Sequence, residues 1–158
     1  MSPGEADILV VDDDPADAEL TVRALESARY GNRIVIARDG EEALDFLFGG
    51  ADGKRAPEDL PKLILLDLNM PKVDGLEVLR QIKEDPGTQA VPVVILTSSC
   101  QPSDLARAYQ LGTNSYIQKP VDFDRARALM KLLADYWLLV NHAAPRDWCA
   151  AGPRRWEP

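Results

Sequence analysis

Leu63-Ile64-Leu65-Leu66-Asp67-Leu68-Asn69-Met70-Pro71 decides the fold, because four apolar residues in succession end abruptly at an aspartate. A strand that is apolar throughout must be covered on both faces, as in a parallel sheet flanked by helices. Two other runs share the pattern: Ile8-Leu9-Val10-Val11 stops at Asp12-Asp13-Asp14, and Val93-Val94-Ile95-Leu96 stops at Thr97. Ile34-Val35-Ile36 reads as the second strand and Tyr116-Ile117 as a short fifth one before Lys119-Pro120. Helical signals fill the gaps. Asp14-Pro15 supplies an N-cap and a first-turn proline, with Leu20, Ala24, Leu25 and Ala28 at helical spacing as far as Tyr30-Gly31. Asp39 followed by Glu42 makes a capping-box start for the helix carrying Ala43, Leu44 and Leu47. Asp74-Gly75 opens a helix with Leu76, Leu79 and Ile82 on one face, and Pro102-Ser103-Asp104 opens one that Gly112 closes. The spacing predicts a last and longest helix over 123–140, and residues 49–61, rich in Gly, Pro and charge, read as a loop.

This alternation predicts an α/β, doubly wound, five-stranded parallel sheet with right-handed crossovers and helices on both faces. At 158 residues the chain is one domain's worth, divided here into a domain over 1–140 and a C-terminal arm over 141–158. Eighteen Lys and Arg against twenty-six Asp and Glu leave a net charge of −8, which repels phosphate backbones and argues against nucleic acid as a partner. Cys100 and Cys149 are too few for a disulfide framework and lack zinc-ligand spacing. The first residues have neither the basic start nor the apolar stretch of a signal peptide, and no run approaches a membrane span, so the cytoplasm is expected.

Open sheets of this kind bind ligands at the carboxyl ends of their strands. The residues at those ends are Asp12 and Asp13, Asp67, Thr97 and Lys119. Carboxylates brought to about 4 Å repel by roughly 4 kcal/mol per pair at an effective dielectric near 20, so three together call for a cation or for pKa shifts. Hard oxygen ligands point to Mg²⁺. Lys119 balances remaining charge, Thr97 offers a hydroxyl, and Asp67, at the middle strand, is placed to attack a phosphoryl group as a carboxylate nucleophile.

Five motifs in order, Val10-Val11-Asp12-Asp13-Asp14-Pro15, Leu65-Leu66-Asp67-Leu68-Asn69-Met70-Pro71, Asp74-Gly75, Ile95-Leu96-Thr97-Ser98 and Tyr116-Ile117-Gln118-Lys119-Pro120, resemble the receiver domain of two-component response regulators, a flavodoxin-like fold. The resemblance covers residues from 7 to about 140. It implies that Asp12, Asp13 and Asp67, with the backbone carbonyl of Asn69, hold Mg²⁺, and that Asp67 accepts a phosphoryl group from a sensor histidine kinase. It also implies a switch through Thr97 and Tyr116, a phosphate-binding role for Lys119, and a Lys119–Pro120 bond of a kind often cis in the family. Ser99 stands where some members carry a residue that tunes dephosphorylation. The loop before the third strand and Asp135-Tyr136-Trp137-Leu138-Leu139-Val140 further resemble single-domain regulators that partner bacterial phytochrome kinases.

The expected function is therefore that of a signalling module rather than a metabolic enzyme, with self-catalysed phosphotransfer and autodephosphorylation only. Eighteen residues follow Val140, too few for a DNA-binding or enzymatic output domain, so the output is expected to be a protein contact. One rival is a phosphorelay carrier that hands the phosphoryl group to a histidine phosphotransfer protein. Another, an aspartyl-phosphate hydrolase with a DxD motif, is disfavoured because Asn69 stands two residues after Asp67. Asp14 reads equally as a helix cap or a part of the metal site. His142 reads as a surface residue, Cys100 as an inert thiol, and Met70 and Met130 as packing residues. The consecutive apolar residues 136–140, followed by Trp148 and Trp156, predict a homodimer made by the region from the fourth helix through the C-terminal arm.

Overall fold

The computed structural model describes residues 7–27, 33–49 and 59–144. Five strands, β1 (Ile8–Val11), β2 (Ile34–Ala37), β3 (Leu63–Leu66), β4 (Val93–Thr97) and β5 (Ser115–Gln118), form one parallel sheet in the order β2-β1-β3-β4-β5. The helices are α1 (Pro15–Glu26), α2 (Gly40–Phe48), α3 (Gly75–Glu84), α4 (Pro102–Gln110) and α5 (Phe123–Ala134). This is the doubly wound fold expected from the alternation, and β1, β3 and β4 are buried along their whole length.

Alternate residues of those strands feed two separate cores. Leu9, Val11, Ile64, Leu66, Val93 and Ile95 join α2, α3 and α4 through Ala43, Leu47, Val78, Leu79, Ile82 and Ala108. Ile8, Val10, Leu63, Leu65, Val94 and Leu96 join α1 and α5 through Ala24, Leu25, Ala126, Met130 and Leu133. The period-2 pleat alone produces this division. Met70 and Met130 are both buried, as packing residues.

Caps set the helix starts. Asp14 Oδ1 accepts from the Ala16 and Asp17 N–H groups, Asp39 Oδ1 from Glu42 N–H, and Asp74 Oδ1 from Glu77 N–H. The structure thus uses Asp14 as a cap. Gly112, at φ 100°, takes the left-handed conformation that ends α4. At the amino end of the sheet, Lys83 Nζ donates to the carbonyls of Gln89 and Val91 and to Asn114 Oδ1, each at 3.0 Å.

Three expectations change. β2, β4 and β5 run slightly longer than their apolar cores suggest, so Thr97 is the last residue of β4 rather than the first after it. The final helix is α-helical only to Ala134, and Asp135–Val140 form a π-helical segment. The wider turn lets Trp137 and Leu138 pack on the α1–α5 core while Tyr136, Leu139 and Val140 stay exposed. Tyr136 and Trp137 meet edge to face, centroids 4.9 Å apart. There is no cis peptide bond among the described residues, so Lys119–Pro120 is trans. The end of the first predicted helix, most of the loop over 49–61, Cys149, and the arm beyond residue 144 with Trp148 and Trp156 lie outside the described residues.

Candidate active site at the carboxyl ends of the strands

In the strand order the chain turns outward in opposite directions from β1 and β3, which leaves a crevice above their carboxyl ends. β1 delivers Asp12 and Asp13 there, β3 delivers Asp67, β4 ends in Thr97, and Lys119 follows β5. Asp67 N–H bonds Val11 carbonyl at 2.9 Å and Lys119 N–H bonds Thr97 carbonyl at 2.8 Å, so the ladder continues one residue past the strands and fixes both side chains. The structure therefore brings Asp12, Asp13, Asp67 and Lys119 together as expected. One oxygen from each of Asp12, Asp13 and Asp67 lies within 4.8 Å of the others, Asp12 and Asp67 being buried and Asp13 exposed.

The backbone behind Asp67 is held by close packing. Gly75 N–H bonds the Leu68 carbonyl at 2.9 Å, and a Cβ on Gly75 would come within 2.1 Å of the Asp67 carbonyl oxygen. Only glycine lets α3 start this near the acceptor strand. Asn69 is exposed and lines an open crevice with Asp13, Met70, Asp74 and Asp104.

Lys119 is the hub. Its Nζ lies 2.9 Å from Asp12 Oδ2, 2.9 Å from Asp17 Oδ2 and 3.1 Å from Asp67 Oδ2. Burial opposes its charge, but hydrogen bonds to Asp12 and Asp17 and the fields of Asp12 and Asp67 outweigh that and raise its pKa above the ordinary lysine range. Burial also raises the Asp12 carboxyl pKa, which for an acid favours the neutral form, only partly offset by the bonds from Lys119 and from Asp14 N–H. Charge is thus crowded here, which a bound cation relieves.

Asp67 Oδ1 has no hydrogen-bond partner, the one such buried side-chain atom among the described residues. A buried, unpaired carboxylate oxygen costs free energy of about 1–3 kcal/mol or more, and a functional site is where such a cost persists. The donor set fits a divalent cation: three hard carboxylates, one of whose oxygens has no hydrogen-bond partner.

Thr97 is fully buried, and its Oγ1 accepts from Ser99 N–H at 3.3 Å. The Tyr116 hydroxyl donates to the Ser99 carbonyl at 3.0 Å while its ring packs on the α3–α4 core. Both candidate switch residues therefore grip the same short loop after β4. Burial raises the Tyr116 phenol pKa, so it stays a neutral donor. Cys100 and His142 are exposed.

Asp17 is the residue that sequence reasoning missed. It sits in the first turn of α1, three residues after the cap, where a side chain points back toward the helix N-terminus and so into the crevice. That signal was present in the spacing from Asp12, but its partner is 102 residues away.

Residues 8–131 match the response regulator receiver domain family. The chain is 45% identical over 136 residues to the probable methanogenesis regulatory protein FilR2 of Methanothrix harundinacea, covering 86% of each chain. It is 37% identical over 131 residues to the response regulator Rcp1 of Synechocystis sp., covering 83% of this chain and 88% of that one. Among solved structures, it resembles the phosphorylated cyanobacterial phytochrome response regulator RcpA (TM-score 0.79, 36% identity, 89% and 99% of the two chains covered). It also resembles the Mn²⁺-bound form of Rcp1 (TM-score 0.75, 34% identity, 87% and 98% covered). The bacteriophytochrome response regulator RtBRR is a further match (TM-score 0.69, 42% identity, 92% and 88% covered).

Proposed function

The chain belongs to the response regulator receiver family, and on that premise we propose that it accepts a phosphoryl group on Asp67 from a sensor histidine kinase and signals through protein contacts that depend on it. The observation that carries this reading is Asp67 itself, buried, with Oδ2 held by Lys119 and Oδ1 left without a partner. Oδ1 is then the nucleophile. Its bond to phosphorus forms as the phosphorus–nitrogen bond of the donor phosphohistidine breaks, and the electron pair of that bond stays on the imidazole nitrogen. Lys119 keeps the second oxygen fixed and offers positive charge to the transferred oxygens.

Asp12, Asp13 and Asp67, with the backbone carbonyl of Asn69, are the residues that would hold Mg²⁺, which shields phosphoryl oxygens from the surrounding carboxylates when bound. The acid cluster and the Mn²⁺-bound Rcp1 support this assignment. Thr97 then turns its hydroxyl to the phosphoryl group, drawing in the loop at Ser99 and releasing Tyr116 from the Ser99 carbonyl. Solved structures named as phytochrome response regulators make a phytochrome-type kinase in the cytoplasm the favoured donor. Exposed Leu105 and Tyr109 on α4, with Tyr136, Leu139 and Val140, favour a homodimer through this region. No helix among the described residues is long and apolar enough to cross a membrane.

Asp67→Asn tests the reading, because an amide retains the shape but is not a nucleophile. Incubation with a phosphorylated kinase or with acetyl phosphate and Mg²⁺, followed by mass spectrometry, should show a phospho-adduct on the native chain and none on the variant. A Mg²⁺-dependent adduct of equal yield on Asp67→Asn overturns the assignment.

A further inference from the structure

We infer that Asp17 is a positioning residue that competes with the incoming phosphoryl group for Lys119 and so restrains the unmodified state. An ammonium has three protons to donate, and the Lys119 Nζ faces three carboxylate oxygens at 2.9, 2.9 and 3.1 Å. None is left over. A phosphoryl group on Asp67 Oδ1 brings about −1.5 to −2 charge and strong acceptor oxygens beside this ammonium, so one existing bond has to give way.

The structure singles out which one. The Asp12 side chain is 4% exposed and the Asp67 side chain 7% exposed, and both are fixed by strands at the floor of the crevice. Asp12 is further tied by Asp14 N–H to its Oδ1. The Asp17 side chain is 43% exposed and stands on the first turn of α1, from which it reaches Lys119 across the mouth of the site. Rotating it into water costs the least desolvated carboxylate of the three, and water rehydrates it at once.

Before that rotation, Asp17 has a second effect of the same sign. It places a fourth carboxylate at the entrance of a site that has to admit a phosphate dianion, and half-exposed charges of like sign slow such an approach in a salt-dependent way. Asp17 thus opposes modification both by occupying Lys119 and by repelling the donor. The inference rests on the phosphoryl-acceptor reading of Asp67.

The test uses the full chain with Mg²⁺ and two probes, beryllofluoride as a phosphoryl mimic and acetyl phosphate as a small anionic donor. Asp17→Asn, which keeps shape and loses charge, should bind beryllofluoride roughly two- to fivefold more tightly, the scale of one half-exposed ion pair. It should lower the half-saturating acetyl phosphate concentration by a similar factor with a smaller change in maximal rate, and flatten the ionic-strength dependence. Asp17→Glu, which restores the charge on a longer arm, should return both toward the native values. Beryllofluoride binding that is unchanged or weaker in Asp17→Asn, or an Asp17→Glu variant that behaves like Asn, overturns the inference while leaving Asp67 as acceptor. A native chain that takes up neither probe overturns both.

Discussion

Gly75→Ala places one methyl group against the backbone that carries the acceptor. The added Cβ would sit 2.1 Å from the Asp67 carbonyl oxygen, 2.6 Å from Leu68 Cα and 2.9 Å from the Asp67 carbonyl carbon. Comfortable contact between such atoms is about 3.5–4.0 Å, so the Asp67–Leu68 peptide and the start of α3 have to separate by more than about 1 Å. No flexible side chain is available to absorb the shift. The movement also strains the Gly75 N–H bond to the Leu68 carbonyl and the Asp67 N–H bond to Val11. Overpacking a core costs about 1–3 kcal/mol, and with only backbone in the way the top of that range applies. For a chain of this size each kcal/mol lowers Tm by roughly 2–4 °C, so a fall of about 6–12 °C is expected by circular dichroism. Because Asp67 is displaced from Lys119, phosphorylation by acetyl phosphate should fall as well, even at temperatures where the variant is folded. Gly87→Ala is the control: its Cβ would meet only Asp85 Oδ1, at 3.1 Å, and Tm should move by no more than the effect of about 0.5 kcal/mol. A Gly75→Ala protein within about 1 kcal/mol of the native chain and phosphorylated at the native rate would refute the claim that this close approach holds the acceptor in place.

Three other perturbations address single links of the site. Asp12 has its pKa raised by burial, so the native state holds that proton to higher pH than the unfolded chain and loses relative stability as pH climbs through the window above 3.8. Asp12→Asn without metal should therefore be more stable than the native chain at pH 7 by thermal unfolding, should lose that advantage below pH 3.8, and should no longer be stabilised by added Mg²⁺. Thr97→Ala removes the acceptor of Ser99 N–H, costing about 1 kcal/mol, and should still accept beryllofluoride while amide resonances around Ser99 cease to respond to it in NMR spectra. Burial pushes the Lys83 ammonium pKa down to about 8, so between pH 8 and about 10.5 the unfolded chain binds the extra proton and stability rises with pH. That rise should disappear in Lys83→Met, and an NMR titration of the Lys83 side chain should show its midpoint near pH 8.

Local chemistry determined most of the fold. Unbroken apolar runs marked β1, β3 and β4 as buried on both faces, and the aspartates before α1, α2 and α3 marked the helix starts because a cap needs only its own next three residues. The same logic placed Asp12, Asp13, Asp67, Thr97 and Lys119 at strand ends, where a doubly wound sheet gathers them. What tertiary structure alone decided is which atoms meet there. Asp17 and Lys119 are brought to 2.9 Å across 102 residues because β1 and β5 flank β3 and β4 in one sheet, and no local pattern encodes that order. The unpaired Asp67 Oδ1 likewise exists only because Lys119 reaches one oxygen and not the other. At the far end of the chain, periodicity predicts a helix through residue 140, yet packing of Trp137 and Leu138 on the α1–α5 core accompanies a widened turn from Asp135. Helical spacing records which residues are apolar, whereas the register in which they are buried depends on the surface they have to cover.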